Sequence, residues 1–126
     1  MKKTISTDKA PAAVGPYVQG VQYGNLVFVS GQIPFNPETN TPEPGDIKAQ
    51  TNRSMQNLIA VLQAGNADVD TILKTTIFVA DMKDFAAVNE VYASYFHNSP
   101  PARSCVAARE LPKGVSVEIE AIAHTR

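Results

Sequence analysis

A single cysteine, Cys105, leaves no partner for an internal disulfide in this chain of 126 residues. Such sparing use of cysteine fits a reducing compartment. Lysines and arginines do not gather into a run, and the net charge is only −1. The basic stripe of a nucleic-acid surface is therefore missing, which disfavours nucleic acid as a partner. No glycine-rich loop carries Walker or dinucleotide spacing, so nucleotide binding has no support. The basic start MKKTISTDKAP is not followed by an apolar stretch, which argues against a secretory signal. No apolar run approaches the roughly 20 residues of a membrane-spanning helix. The two histidines, His97 and His124, stand apart from each other and from Cys105; the spacing matches no metal-ligand pattern, and no metal is expected. From these absences we expect a soluble, cytoplasmic protein.

What is present reads as one globular domain over residues 1–126, with 44% hydrophobic and 18% charged residues and no internal repeat. In residues 46–64 the apolar Ile47, Met55, Leu58, Ile59 and Leu62 fall near helical spacing, between Asp46 as N-cap and Gly65 as C-terminal stop. A second stripe, Phe85, Val88 and Tyr92 followed by Tyr95 or Phe96, predicts a helix over 84–96, capped by Asp81 or Asp84 and stopped by Pro100-Pro101. Strands are expected at 17–24 and 25–31, joined by a Gly24-Asn25 turn, at 72–80, at 102–109 and at 115–123, with a short first strand at KTIS. The last two strands, linked by ELPKG, read as a second hairpin. The stretch PFNPETNTPEPGD, residues 34–46, holds four prolines and reads as a connection. The predicted class is α/β, a mixed sheet with two helices on one face. Two helices cannot cover both faces of such a sheet, so the other face calls for self-association.

Chemistry concentrates in PPARSCVAARELP, residues 100–112. Side chains alternate along a strand, so Arg103, Cys105 and Ala107 share a face. In the last strand Val115, Val117, Ile119 and Ala121 form an apolar face, and Glu118 and Glu120 point the other way. If Arg103 uses the face away from the helices, a guanidinium and two carboxylates converge there; a slip of one residue separates them. The alternative is an exposed strand laced with cross-strand charge pairs, each contributing a few tenths of a kcal/mol. Glu118 and Glu120 leave one strand face together, which does not suit a pair of carboxylates flanking a glycosidic bond. Cys105 as a nucleophile would need a partner base. A neighbouring Arg103 would lower its pKa, yet neither histidine adjoins it in sequence, and a lone strand cysteine is more often a small buried hydrophobe. Gly31, at a strand end, marks either a plain turn or a close approach by a ligand or another backbone.

Longer blocks carry a resemblance. APAAVGPYVQGVQYGNLVFVSGQIPFNP, KTTIFVADMKDFAAVNEVYASYF, PPARSCV and LPKGVSVEIEAIA follow in order across residues 4–123. The chain thereby resembles the Rid (YjgF-type) family, and most closely its RidA branch of enamine/imine deaminases. The resemblance implies a chorismate-mutase-like α/β fold of the bacillus type. It also implies a homotrimer whose sheets line a central β-barrel, with ligand clefts between subunits. It implies hydrolysis of 2-iminobutanoate and 2-iminopropanoate, reactive enamine/imine intermediates released by pyridoxal-phosphate enzymes, to 2-oxo acids and ammonia, without a cofactor. Arg103 looks like the family's carboxylate-binding arginine, and Glu118 like the acid that positions the attacking water. Tyr17 looks like its cleft tyrosine and Asn89 like an asparagine near the same cleft. Gly31 and Cys105 look like residues lining the ligand through backbone groups, and Ser30 and Ile33 like wall residues. Phe35 is bulkier than the aliphatic residue expected there, the FHNSPP tip is short, and the loop at 36–45 is rich in proline; these departures bear on cleft width. A non-catalytic module binding 2-oxo acids, and an endoribonuclease, are the alternative functions.

Overall fold

The computed structural model covers residues 1–126. Its elements run β1 (Lys3–Ile5), β2 (Gly20–Tyr23), β3 (Leu26–Gln32), β4 (Phe35–Asn36), β5 (Thr41–Pro42), α1 (Ile47–Ala64), β6 (Ile72–Val79), α2 (Phe85–Ala93), β7 (Ala102–Ala107) and β8 (Val117–His124). Six strands form a mixed sheet in the order β1-β2-β3-β8-β6-β7, and β4 pairs with β5 separately. The β6–β7 pair is parallel, and the other pairs are antiparallel. The α/β class, the mixed sheet and the two helices agree with the sequence reading.

The expected final hairpin does not form. β6 lies between β7 and β8. From β6 the chain returns through α2 to lay β7 parallel to it, as a helical crossover allows. The ELPKG link then carries the chain past β6 rather than turning it back on β7. Lys113 and Gly114 both take positive φ there, 58° and 68°. Other boundaries differ as well, and two of them by three residues. The strand expected from residue 17 begins at Gly20, because Tyr17 N–H donates to the Gly15 carbonyl at 2.9 Å and turns the backbone. The second helix stops at Ala93, after which Ser94, Tyr95 and Phe96 close i→i−3 bonds of a tightening last turn. The proline-rich connection is also less open than expected. It holds the β4–β5 ladder, and the Phe35 side chain within it is buried with Leu111 and Val115.

Capping and patterning explain α1. The Asp46 carboxylate accepts from Ala49 N–H at 3.0 Å, satisfying an orphan donor of the first turn. Its buried face is Met55, Leu58, Val61 and Leu62, packed with Val117, Ile119, Ala121 and Ala123 of β8 in the main core. Three polar residues share that face, Thr51, Ser54 and Asn57. The Asn57 carboxamide donates to the carbonyls of Ile33 and Phe35 at 3.0 and 2.9 Å and so fixes the segment after β3.

Both helices pack on the same side of the sheet. The opposite face carries Phe28, paired with Ile122, and Phe78, flanked by Val106 and Glu118. Phe28 and Val106 remain 39% and 44% exposed. This face sets those apolar side chains beside Glu118 and Glu120 and is uncovered within the chain, as the helix count predicts. No helix is long and apolar enough to cross a membrane.

Candidate active site

β8 delivers Glu118 to the open face, because Val117 and Ile119 on either side of it point into the core. Beside it β3 loses register with β8 between Val29 and Gln32, and Ser30 and Gly31 sit in that irregularity. A Cβ on Gly31 would stand 2.8 Å from the Glu118 carboxyl carbon. Glycine is thus what lets the carboxylate lie against the β3 backbone. Ser30 ties the segment before β2 to the same place: its Oγ donates to the Val18 carbonyl at 2.6 Å, and its N–H to the Gln19 carbonyl at 2.9 Å. Gln19 is itself buried, and its side chain bonds Thr7, Ala10 and Pro11. This anchors the loop that bears Tyr17.

The result is a cleft of about 530 Å³ lined by Tyr17, Ser30, Gly31, Ile33, Phe35 and Glu118, with Lys113 at its edge. Burial pushes the Glu118 carboxyl above its ordinary value, and the negative charge of Glu120 adds to that. A carboxyl so placed exchanges a proton closer to neutrality than a free one. We expect Gly31→Ala to displace this carboxylate rather than unfold the chain, since the side chain it meets is flexible. Turnover should fall about a hundredfold, as for a misplaced reacting group, while the melting temperature changes little. Full activity in the variant would show that the close approach is not needed.

Arg103 lies elsewhere. Its strand partner in register is Thr75, a fully buried residue hydrogen-bonded to Tyr92 of α2. Arg103 therefore projects on the helix side of the sheet. Its Nη1 donates to Asn89 Oδ1 at 2.5 Å, and its guanidinium lies over the rings of Phe85 and Tyr92, 5.5 and 5.2 Å from their centroids. A second recess, of about 450 Å³, is lined by Asn89, Tyr92, Phe96, Pro101 and Arg103. Cys105 pairs with Ile77 and faces the same side as Arg103. Burial raises its thiol pKa, and the smaller opposing pull of Arg103 does not reverse this. That is the opposite of an activated nucleophile. Both histidines are exposed. No three His, Cys, Asp or Glu side chains gather into a set that could hold a metal ion.

The convergence allowed by one strand register is therefore not realised in a single chain. Glu118 and Glu120 occupy the open face, and Arg103 occupies the helix face. Tyr17, Ser30, Gly31, Ile33 and Glu118 come together; Arg103 and Asn89 come together, with Cys105 beside them. In the sequence, Phe85 and Tyr92 read only as an apolar stripe. The signal available was their spacing with Asn89, at i, i+4 and i+7, which puts a polar group between two rings on one helix face.

A mixed sheet with one bare face and two small clefts, one holding a carboxylic acid and the other a guanidinium, defines an α/β protein with two candidate small-molecule sites. The chain belongs to the Rid family: the profile described as endoribonuclease L-PSP matches residues 7–125. It is 53% identical, over the whole of both chains, to an Escherichia coli K12 protein named 2-iminobutanoate/2-iminopropanoate deaminase. The same name is carried by a Salmonella typhimurium protein 51% identical over the full length of both. Among solved structures, Escherichia coli TdcF with bound serine superposes with a TM-score of 0.94 at 46% identity, covering 98% of this chain and 99% of that one. Yeast Mmf1 superposes with a TM-score of 0.97 at 42% identity, covering all of both chains.

Proposed function

We propose that the chain is a 2-iminobutanoate/2-iminopropanoate deaminase, a cofactor-independent hydrolase of C=N bonds. It is built as one Rid-type domain over residues 1–126 and acts in the cytoplasm as a homotrimer with a central β-barrel and clefts between subunits. The observation that carries the activity is the full-length identity of 53% with a protein of that name. Two features of the chain supply chemistry that suits it. Arg103 presents a permanently charged planar fork for the substrate carboxylate. Glu118 offers a carboxylate, half-withdrawn from water, that accepts a proton from the attacking water. Water adds to the imine carbon, its proton passing to Glu118, which returns it to the nitrogen. The carbinolamine then expels ammonia as its hydroxyl proton leaves, giving the 2-oxo acid. Holding the carboxylate fixes the imine carbon against that water, which is the entropic part of the rate gain.

The split between the two faces supports clefts between subunits. A substrate a few ångströms long cannot touch Arg103 and Glu118 of the same chain through the sheet, so the second group comes from a neighbouring copy. The bare face with Phe28 and Val106 gives that copy an apolar surface to cover. Mixing two inactive variants, Arg103→Ala and Glu118→Gln, by unfolding and refolding them together should then restore activity, with up to about a quarter of the sites intact under random assembly. No recovery from a properly refolded mixture would put both groups in one subunit.

The activity itself is tested by supplying imine from a threonine dehydratase and following its decay. Decay accelerated in proportion to the added protein supports the deaminase. Unchanged decay with binding of 2-oxobutanoate would make the protein a binding module instead. The net charge of −1 speaks against RNA as the substrate. Cys105→Ser should retain most of the turnover, because its thiol is driven away from the thiolate form. A folded Cys105→Ser protein without activity would return the sulfur to the mechanism.

A further inference from the structure

The geometry points to Tyr92, locked by Thr75, as the residue that positions Arg103 for carboxylate binding. The inference rests on the reading of Arg103 as the carboxylate anchor and goes on to say what makes that anchor rigid. An arginine on an exposed edge strand ordinarily samples many rotamers. Here Phe85, Asn89 and Tyr92, successive on one face of α2, meet it together. The two rings engage the guanidinium by cation–π contact. Asn89 takes one N–H of Nη1, and a guanidinium has five, so in-plane donors remain for a carboxylate.

Tyr92 differs from the other two because it is itself fixed. It is 4% exposed, its ring packs on Phe96 with centroids 4.8 Å apart, and its hydroxyl bonds Thr75 Oγ1 at 2.6 Å. Thr75 is fully buried and is the residue paired with Arg103 across the β6–β7 ladder. The contacts close a ring: Arg103 to Thr75 through the strands, Thr75 to Tyr92 through a hydrogen bond, and Tyr92 back to the guanidinium through its face. The phenol sets the ring plane, and the ring plane sets where the fork points. A phenylalanine would keep the face and lose the lock; a leucine would lose both.

The test compares Tyr92→Leu, Tyr92→Phe and Thr75→Val with the unaltered protein, using imine turnover and 2-oxobutanoate binding well below each melting temperature. Tyr92→Leu should raise KM and the 2-oxobutanoate Kd about tenfold with kcat within about twofold, the size expected for a lost cation–π contact. Tyr92→Phe should recover most of that loss, and Thr75→Val should raise KM about threefold. In an Arg103→Ala background, Tyr92→Leu should have no further effect on 2-oxobutanoate binding. A purely structural role would lower stability without this dependence on Arg103. Should Tyr92→Leu not fold, Thr75→Val, nearly isosteric, decides the matter by its KM. An unchanged KM in the folded variants, or an equal loss in the Arg103→Ala background, overturns the inference and leaves the deaminase reading standing. Unchanged turnover in Arg103→Ala overturns that reading, and the inference with it.

Discussion

Arg103→Ala should lower kcat/KM for 2-iminobutanoate about a thousandfold, and Arg103→Lys should recover little of it. The size follows from what is removed. A bidentate arginine–carboxylate pair makes two charge-assisted hydrogen bonds, each contributing roughly 1.5–3 kcal/mol. About 4 kcal/mol corresponds to about three orders of magnitude in rate. Lysine keeps the charge but offers a single ammonium in place of a planar fork, and it stacks less well on the rings of Phe85 and Tyr92. The loss should fall mainly on KM for the lysine variant and on both kcat and KM for alanine, because alanine also frees the imine carbon from its position relative to the water. Steady-state kinetics with purified variants of unchanged melting temperature measures this. Near-normal turnover in Arg103→Lys would reduce the arginine to a diffuse positive charge.

Glu118→Gln should cost about a hundred- to ten-thousandfold in kcat, the usual range for removing a positioned acid–base group, and should also change two pH dependences. The working form of Glu118 is the carboxylate. Its folded pKa is raised, first by burial and then by Glu120. Activity is therefore present above that pKa and lost as pH falls through it, at a pH higher than an ordinary carboxylate would give. Glu118→Gln should abolish this acid limb, and Glu120→Gln should move it to lower pH. Stability runs the other way. The fold favours the protonated acid, so Glu118 contributes stability that is complete below its unfolded pKa and lost as pH rises through its folded one. Glu118→Gln should accordingly melt above the unaltered protein at neutral pH and match it in acid. Parallel pH profiles in Glu120→Gln and the unaltered protein would count against the assigned electrostatics.

The residue types of the site were readable, and their placement only in part. The parity of VSVEIEAIA put Glu118 and Glu120 on the outer face of β8 correctly, because apolar alternation there is unbroken. ARSCVAAR has no such alternation, so nothing local told which face Arg103 takes; that is settled by its register with β6. The hairpin expected between the last strands failed because a short link implies adjacency only when no third strand competes. β6, rich in β-branched residues, pairs with both. In α1 the cap at Asp46 and the apolar stripe were legible, whereas the burial of Thr51, Ser54 and Asn57 was not. Asn57 is buried because its partners, the Ile33 and Phe35 carbonyls, come from a distant segment. Neither hydropathy nor spacing carries that information.

The sheet order governs how the chain can fold as it is made. β8 follows every other strand in sequence, yet it sits between β3 and β6 and joins the two halves of the sheet. Until residues 117–124 have left the ribosome, β1–β3 and the β6–α2–β7 unit have no strand to hold them together. Folding during synthesis must therefore wait for that strand, and the two half-sheets expose their inner edges meanwhile. Truncation within β8 strikes the centre of the sheet, whereas loss of β1 trims only its rim.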